Sequence, residues 1–468
     1  MRLKSILTKP IISLIIVWLL ILLGVCLRSF KADIYPVDNN DDGLYYAWAG
    51  LTSWNNPLNP SAHSIFDAKN PNLIWRSQYR DYIPLEIFGM KIVEPWMDHP
   101  PLGTLIISLP AKILGYKGFV PIPQLIVRFP AIIASIFTLW LTYVLGKMLF
   151  GEKTAKLSLL FLATIPYFVI AHRQAFLENF LTPLFLGCLV YLIKFLKTNG
   201  KKDLIMLIIL SFLAGWFKIV GFAVPFMIMA WLWHKKKVRA GFYLLGTGIA
   251  SVASYLAYGL IVDKQAFLMT ITNQGVRGAF VNSFFDALTH LEFYGEFKDG
   301  WYVLGFILSF MLMMKYKKEK FRFFSWFFTS WLIILFLASG RMSNSSWYRY
   351  PLIPFMSIGI GYYANQLLKK NNIFLVIIFW LLGLTGFDLL NINIASSILR
   401  PITIGFFTIY GLNFIWQNKI FKNLAFWTTR IFILGLVLLN IYVNLRYSTV
   451  HCMKERCLAP VKIIVDDK

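Results

Sequence analysis

Long apolar stretches recur along almost the whole chain and are separated by short polar connections. A membrane-spanning helix needs about 20 mostly apolar residues, and such runs begin with "IISLIIVWLLILLGVCL" (11–27) and continue to about residue 450. The pattern predicts an all-α polytopic membrane protein. Residues 1–450 form one transmembrane domain, and residues 451–468 form a short tail.

The longest interval without a clear span covers residues 28–124. It contains the apolar segment "LGTLIISLPAKILG" (102–115), which is short and is interrupted by Pro110 and Lys112. We expect this segment to be an interfacial or re-entrant helix. About 13 spans result, and residues 28–124 become the first external loop; long ordered loops tend to be functional.

Composition supports a membrane protein and excludes a large soluble domain. Hydrophobic residues make up 58% of the chain and the mean hydropathy is +0.63, both above the values of soluble domains. The net charge is +24. Because the Lys and Arg residues lie in short clusters between apolar runs, we interpret them as cytoplasmic anchoring charge and expect no nucleic-acid binding.

The basic clusters also predict the orientation, since cytoplasmic loops retain Lys and Arg. The N-terminus and the connections near residues 150, 200, 234, 315, 369 and 417 should share the cytoplasmic side. The first loop and the tail are then external. We expect a multi-pass protein of a prokaryotic plasma membrane whose site faces outward.

With this orientation, the unusual polar residues gather on the external side. A charge at the bilayer centre costs roughly 2.5 to 3.5 kcal/mol, so Lys218, between apolar flanks, should lie at the external end of a helical hairpin. The candidates are Asp41, Asp42, Asp98, His99, Arg128, Arg173, Glu178, Lys218, His290, Arg349 and Tyr350.

Each of these residues also has a purely structural explanation. Lys218 can extend its ammonium to the interface, Arg173 and Glu178 can pair with each other, Arg128 can be a helix-end charge, and His99 can be a turn residue. Several cations on the side that holds an acidic pair are nevertheless typical of a site for an anionic ligand. A carboxylate can act as general base, and Arg and Lys can neutralise a phosphate leaving group. The pattern favours transfer from a phosphate-activated donor.

Five segments, in order, resemble motifs of the GT-C membrane glycosyltransferases. "DDGLYYAWA" (41–49) resembles their acidic motif after the first helix, and "DHPPLGTLI" (98–106) is similar to the His-Pro-Pro-Leu-Gly segment of protein O-mannosyltransferases. "VRFPAIIASIFTLWLTYVLGKMLFG" (127–151) resembles the Arg-led helix, "AHRQAFLENFLTPLFLGCLVYL" (171–192) the second acidic motif, and "FLAGWFKIVGFAVP" (212–225) the Lys-containing hairpin.

The resemblance implies a GT-C fold and an inverting glycosyltransferase that uses a polyprenyl-phosphate-linked sugar. Asp41 corresponds to the catalytic base and Asp42 to its acidic neighbour. Asp98 and Glu178 fall at other polar positions of the site. The implied donor- and phosphate-binding residues are His99, Arg128, Arg173, Lys218, Arg349 and Tyr350.

The acceptor stays open. It could be the hydroxyl or amine of a lipid, a glycan or a protein. The motifs do not choose among these, because His99 stands where the aminoarabinose transferases have Lys, and Glu178-Asn179 replaces their Asp-Pro. The main alternative is a transporter or flippase of an anionic lipid-linked substrate, although such proteins commonly have pseudo-symmetric halves, which this chain does not display.

The resemblance also raises the question of a metal, since the aminoarabinose transferases have an acidic residue and a loop histidine near a bound metal. Asp98 and His290 are the weak candidates here, and two ligands are too few to specify a zinc site. We therefore expect no cofactor and metal-independent chemistry, with a divalent ion as the open alternative.

Overall fold

The structure is a computed structural model of the 468-residue chain. It describes residues 2–36, 42–63, 74–75, 90–119, 122–275, 299–338, 346–370, 372–390, 392, 395–416 and 418–451.

Helices make up nearly all of the described chain. The first ten are α1 (Arg2–Ser29), α2 (Asp42–Asn55), α3 (Pro101–Ile113), α4 (Gln124–Phe150), α5 (Glu152–Thr164), α6 (Pro166–Ala171), α7 (Glu178–Thr198), α8 (Lys201–Phe217), α9 (Ala223–His234) and α10 (Val238–Gly275), which is interrupted at Asp263. The others are α11 (Gly300–Met313), α12 (Glu319–Ala338), α13 (Ile353–Leu367), α14 (Ile373–Gly383), α15 (Gly386–Leu389), α16 (Ser396–Ile415) and α17 (Lys419–His451). Two 3-10 turns, Ile219–Phe222 and Ser346–Leu352, precede α9 and α13.

Within the described ranges, seven helices are long and apolar enough to cross a membrane. They are α1, α4, α7, α10, α12, α16 and α17, and shorter apolar helices lie between them. The all-α polytopic fold is confirmed, while the number of about 13 spans stays a prediction. The first span ends at Ser29 and the next begins at Gln124, which matches the predicted bounds of the long loop.

The long loop is built on a pair of packed helices. The residues of α2 and α3 approach so closely that a Cβ at Gly50 would meet the Thr104 carbonyl oxygen at 2.1 Å. The Trp54 indole donates to Ser108 Oγ over 3.0 Å. With 13 residues, α3 is about 20 Å long, shorter than a hydrocarbon core of about 30 Å.

The long loop also contains a small antiparallel sheet, whereas only helical structure was predicted for it. Its strands are β1 (Ala62–His63), β2 (Ile74–Trp75) and β3 (Met90–Val93), in the order β1-β3-β2. The register pairs Ala62 with Val93 and Ile74 with Lys91. The sheet leads directly into the segment that carries Asp98 and His99.

Several basic connections meet at one end of the helix bundle. The contacts that join them are Lys235 Nζ to Glu319 Oε1 at 2.6 Å, Lys320 Nζ to the Phe150 ring centroid at 5.6 Å, and Lys315 Nζ to the Tyr363 ring centroid at 4.8 Å. The connections near residues 150, 234 and 315 therefore share one end with the end of α13. This grouping agrees with the common side that the charge pattern predicts, while the outward orientation of the opposite end stays a prediction.

Candidate active site

A hairpin of two helices brings Glu178 and Lys218 together. Glu178 is the first residue of α7, and Lys218 follows the last residue of α8. Asn199, in the left-handed region with φ of 52°, ends α7 and allows the chain to reverse into α8. Since α7 has 21 residues and α8 has 17, Glu178 and Lys218 lie about 32 and about 26 Å from this turn. Lys218 lies in the connection from α8 to the 3-10 turn before α9, as predicted for the end of a helical hairpin, and the external position of this end stays a prediction.

Glu178 and Lys218 form a buried ion pair. Lys218 Nζ lies 3.2 Å from Glu178 Oε1, and the two side chains are 3% and 0% exposed. Removing two charges from water costs several kcal/mol per ion unless they are well paired. The pair is therefore a costly feature of the fold, and such features mark functional sites in membrane proteins.

Lys218 has two further neighbours at the same point. Its Nζ lies 3.4 Å from His99 Nε2 and 5.3 Å from the centroid of the Tyr348 ring. An ammonium has three N–H donors, and an aromatic face attracts a cation at this distance. Lys218 therefore connects α7, the loop motif at His99 and the turn before α13.

Two aromatic rings, those of Tyr46 and Trp96, also contact His99. The Tyr46 ring lies 5.6 Å from the His99 ring in an edge-to-face arrangement, and Trp96 lies 5.9 Å from His99 and 6.3 Å from Tyr46. Tyr46 belongs to α2, whose first residue is Asp42. Residues four apart share a face of a helix, so Tyr46 connects the acidic end of α2 with His99.

Three carboxylates contribute to the electrostatic environment of Tyr46. Burial raises the pKa of Tyr46 well above its ordinary value, and the negative charges of Asp42, Glu178 and Asp98 raise it further. The phenol is therefore neutral and can donate a hydrogen bond. We refer to Asp42, Tyr46, His99, Glu178 and Lys218 as the lysine site.

Two of the predicted phosphate-binding residues, Arg128 and Arg173, contact backbone carbonyls. Arg128 donates to the Ala32 and Pro36 oxygens at 2.7 and 2.5 Å. Arg173 donates to the oxygens of Leu27, Phe30 and Tyr35 at 2.6, 3.1 and 3.2 Å. We refer to these two residues as the arginine clamp; a contact with the donor phosphate stays a prediction for both.

The structure does not pair Arg173 with Glu178, which was the structural alternative for these two residues. Arg173 binds carbonyls, and Glu178 binds Lys218. A third buried arginine, Arg28, donates to the carbonyls of Gly24, Leu162 and Phe168. Three buried arginines at this end of the bundle thus use their donors on backbone oxygens.

Arg349 and Tyr350 lie in a neighbouring buried cluster. Arg349 Nη1 donates to the Tyr302 hydroxyl over 3.2 Å and lies over the same ring at 5.3 Å. The Tyr350 hydroxyl donates to Gln174 Oε1 over 2.7 Å. Gln174 follows Arg173, so this cluster joins the lysine site through the connection between α6 and α7; a role of Arg349 and Tyr350 at the donor phosphate stays a prediction.

Two predicted residues, Asp41 and His290, lie outside the described residues. In the part of the chain that is described, no group of three or more His, Cys, Asp or Glu residues is placed to hold a metal ion. The predictions of a general base at Asp41 and of metal-independent chemistry therefore remain predictions. Asp98 is buried, and its backbone oxygen accepts a hydrogen bond from Gln274 Nε2.

Sequence reasoning missed four residues of this region: Tyr46, Trp96, Tyr348 and Arg28. Tyr46 had a usable signal, since it lies four residues after Asp42 on a predicted helix. Trp96 stands two residues before Asp98 in the same motif. Arg28 ends the first apolar run, whereas nothing in the sequence distinguishes Tyr348 from the other aromatic residues nearby.

The comparison with known families gives one match. Residues 98–258 match the profile of the family described as dolichyl-phosphate-mannose-protein mannosyltransferase. This range is roughly a third of the chain and contains Asp98, His99 and both members of the Glu178–Lys218 pair. No curated protein matches the chain at a significant level of sequence similarity.

Solved structures show the same fold at low sequence identity. ArnT from Cupriavidus metallidurans bound to undecaprenyl phosphate has a TM-score of 0.55 and 12% identity, over 94% of this chain and 77% of that one. The archaeal oligosaccharyltransferase AglB from Archaeoglobus fulgidus, in complex with an inhibitory peptide and a dolichol-phosphate, has a TM-score of 0.53 and 12% identity. That match covers 98% of this chain and 61% of AglB. The GT-C fold and the resemblance to the GT-C glycosyltransferases are confirmed.

Proposed function

We propose that this chain is an inverting glycosyltransferase that moves a sugar from a polyprenyl-phosphate-linked donor to an acceptor hydroxyl or amine. The observation that carries the proposal is the buried Glu178–Lys218 pair, in which Lys218 Nζ lies 3.2 Å from Glu178 Oε1 and 3.4 Å from His99 Nε2. A cation in such a site can stabilise a phosphate leaving group. A carboxylate or an imidazole nearby can accept the proton of the acceptor.

In the proposed step, the carboxylate of Asp41 takes the proton of the acceptor hydroxyl or amine. The acceptor atom attacks the anomeric carbon, and the bond from that carbon to the phosphate oxygen breaks with its electron pair, which stays on the phosphate. Attack opposite to the leaving group inverts the anomeric configuration. Polyprenyl phosphate leaves with an additional negative charge, which Lys218 stabilises.

The environment of Lys218 suits this role. Glu178 keeps the ammonium charged inside a buried site, and the three N–H donors leave capacity for a phosphate oxygen beside His99. Asp42 begins α2, so Asp41 precedes this helix by one residue. Adjacent carboxylates can exchange roles, and Asp42 is the second candidate for the base.

The lipid part of the donor is proposed by analogy with the structural relatives. ArnT is bound to undecaprenyl phosphate and AglB to a dolichol-phosphate. These ligands share a polyprenyl chain and a single phosphate. The proposal therefore names a polyprenyl phosphate as the product, and it leaves the sugar and the class of acceptor, whether lipid, glycan or protein, to experiment.

The proposal is tested with purified protein in lipid nanodiscs. The protein is incubated with polyprenyl-phosphate-linked sugars and with lipid, glycan and peptide acceptors, and the released polyprenyl phosphate is measured by mass spectrometry. We expect release that depends on an acceptor, and a product with inverted anomeric configuration. Movement of the intact donor across the membrane of proteoliposomes, without bond cleavage, would instead support the alternative function of a transporter or flippase.

We further propose that the lysine site faces outward. Single cysteines introduced by Leu58→Cys, in the first loop, and Lys236→Cys, in a basic connection, are treated with a membrane-impermeant thiol reagent on intact cells. Both positions are exposed. We expect labelling at 58 and none at 236; equal labelling at both positions would reject the orientation.

A further inference from the structure

The segment that precedes the acidic pair is bound by the arginine clamp, whose two residues belong to other parts of the chain. Residues 27–36 join the end of α1 to the acidic stretch, and α2 begins at Asp42. Arg128 and Arg173 donate five hydrogen bonds to carbonyls of this segment. Because a backbone position is fixed by the groups that bind its carbonyls, these bonds fix the path of residues 27–36, which precede the acidic stretch.

The two arginines come from different elements, and both are buried. Arg128 lies in the second turn of α4, and Arg173 lies in the connection between α6 and α7. Each is 2% exposed. A guanidinium presents a rigid planar set of donors, so each residue binds two or three carbonyls at once, which an ammonium cannot do with the same geometry.

The connection that carries Arg173 also carries Glu178. Asn179 Nδ2 donates to the carbonyls of Ala171 and Gln174 at 2.9 and 2.6 Å, which closes the connection into one compact unit. One end of this unit binds residues 27–35 through Arg173, and the other end binds Lys218 through Glu178. The unit therefore links residues 27–35 to the lysine site, so a shift of one should shift the other.

We propose that Arg128 and Arg173 are positioning residues, which hold residues 27–36 and thereby support the start of α2 at Asp42 in the position that the lysine site requires. They act through the backbone, and contact with the donor phosphate is left to Lys218. This inference rests on the proposed function.

The test uses Arg128→Lys and Arg173→Lys, which keep the charge and remove the planar set of donors. The control is Arg430→Lys, since Arg430 also donates to a backbone carbonyl, that of Phe426, and lies in α17, outside the clamped segment. We expect kcat to fall by about 100-fold in the two clamp variants, because a displacement of about 1 Å has this cost. The Kd for polyprenyl phosphate should stay unchanged, and the control should keep its kcat per folded molecule.

Hydrogen exchange provides a second measurement that does not depend on activity. Amides of residues 30–36 should exchange faster in the two clamp variants than in the wild type or in Arg430→Lys. Weaker binding of polyprenyl phosphate with an unchanged kcat would overturn the inference and would show that the arginines bind the donor phosphate. Unchanged exchange in both clamp variants would also overturn it. Absence of transfer by the wild type would reject the proposed function, whereas the exchange data would still decide whether the clamp holds the segment.

Discussion

The lysine site and the arginine clamp lie at the same end of the bundle, but they use buried cations in different ways. Lys218 has side-chain partners, namely Glu178, His99 and the Tyr348 ring. Arg128 and Arg173 bind backbone carbonyls. The three cations, Lys218, Arg128 and Arg173, are each 2% exposed.

This difference implies different roles: Lys218 can exchange one partner for another, whereas the two arginines support the backbone. A side-chain partner can move aside when an anionic ligand arrives, because its rotamer can change. A backbone carbonyl moves only with its chain, so a guanidinium bound to several carbonyls is a fixed part of the fold. We therefore expect ligand binding to depend on Lys218 and the geometry of the site to depend on the arginines.

The largest expected effect follows from Asp41→Asn. The amide keeps the shape of the side chain and loses the base, and general-base catalysis typically contributes about 100- to 10,000-fold. Turnover should therefore fall by about this factor, while expression and the Kd for polyprenyl phosphate stay close to wild-type values. Turnover is measured by release of polyprenyl phosphate in the presence of acceptor.

Two further variants sharpen this test. Asp42→Asn should reduce turnover less than Asp41→Asn; the reverse order would assign the base to Asp42. Asp203→Asn is the matched control, since Asp203 lies at the opposite end of α8, where it accepts a hydrogen bond from Thr198. If Asp41→Asn and Asp203→Asn had the same turnover, the assignment of a base at Asp41 would be wrong.

The next effect is expected from Lys218→Met and concerns both binding and stability. The apolar flanks alone predict that methionine suits this position, but the ion pair reverses this expectation, because Glu178 would be left buried without its partner. Such a loss costs about 3 to 5 kcal/mol. A hydrogen bond to a charged group contributes about 1.5 to 3 kcal/mol, so the affinity for polyprenyl phosphate should also fall by about 10- to 100-fold.

The double variant Lys218→Met with Glu178→Gln separates the two effects. It removes both charges, so the thermal stability in detergent should recover towards the wild-type value while the affinity for polyprenyl phosphate stays low. Lys201→Met, at the other end of α8, is the control and should change neither property. A double variant that binds polyprenyl phosphate as tightly as the wild type would show that Lys218 is a structural residue.

The fold was largely predictable from the sequence because the lengths of the apolar runs and the basic connections constrain it directly. The long loop between Ser29 and Gln124 follows from this pattern. The meeting of Glu178 and Lys218 was predictable in part, since two helices of similar length joined by a short turn return the chain to the same end. The small sheet β1-β3-β2 was not predicted, as its strands are only two to four residues long.

The partners of the site residues were much less predictable than their location. The motifs contained Arg173, Glu178 and Lys218, but they do not show that Glu178 pairs with Lys218 rather than with Arg173. Arg173 and the carbonyl of Leu27 are 146 residues apart, and such a bond depends on the path of a connection that no local pattern describes. A motif therefore predicts which residues meet at a site, whereas the division between ligand binding and support of the backbone requires the structure.

The smallest expected effect is that of metal removal, and it bears on whether Lys218 is sufficient as the cation of the site. The ammonium of Lys218 can neutralise a phosphate leaving group unaided. We therefore expect turnover to be unchanged after exhaustive chelation, measured with the same release assay at saturating donor. If turnover were lost on chelation and restored by a divalent ion, the phosphate would be neutralised by a metal, and Asp98 and His290 would be the first ligands to substitute. In that case Lys218→Met should reduce turnover much less than metal removal does, so the two measurements together decide which cation the leaving group requires.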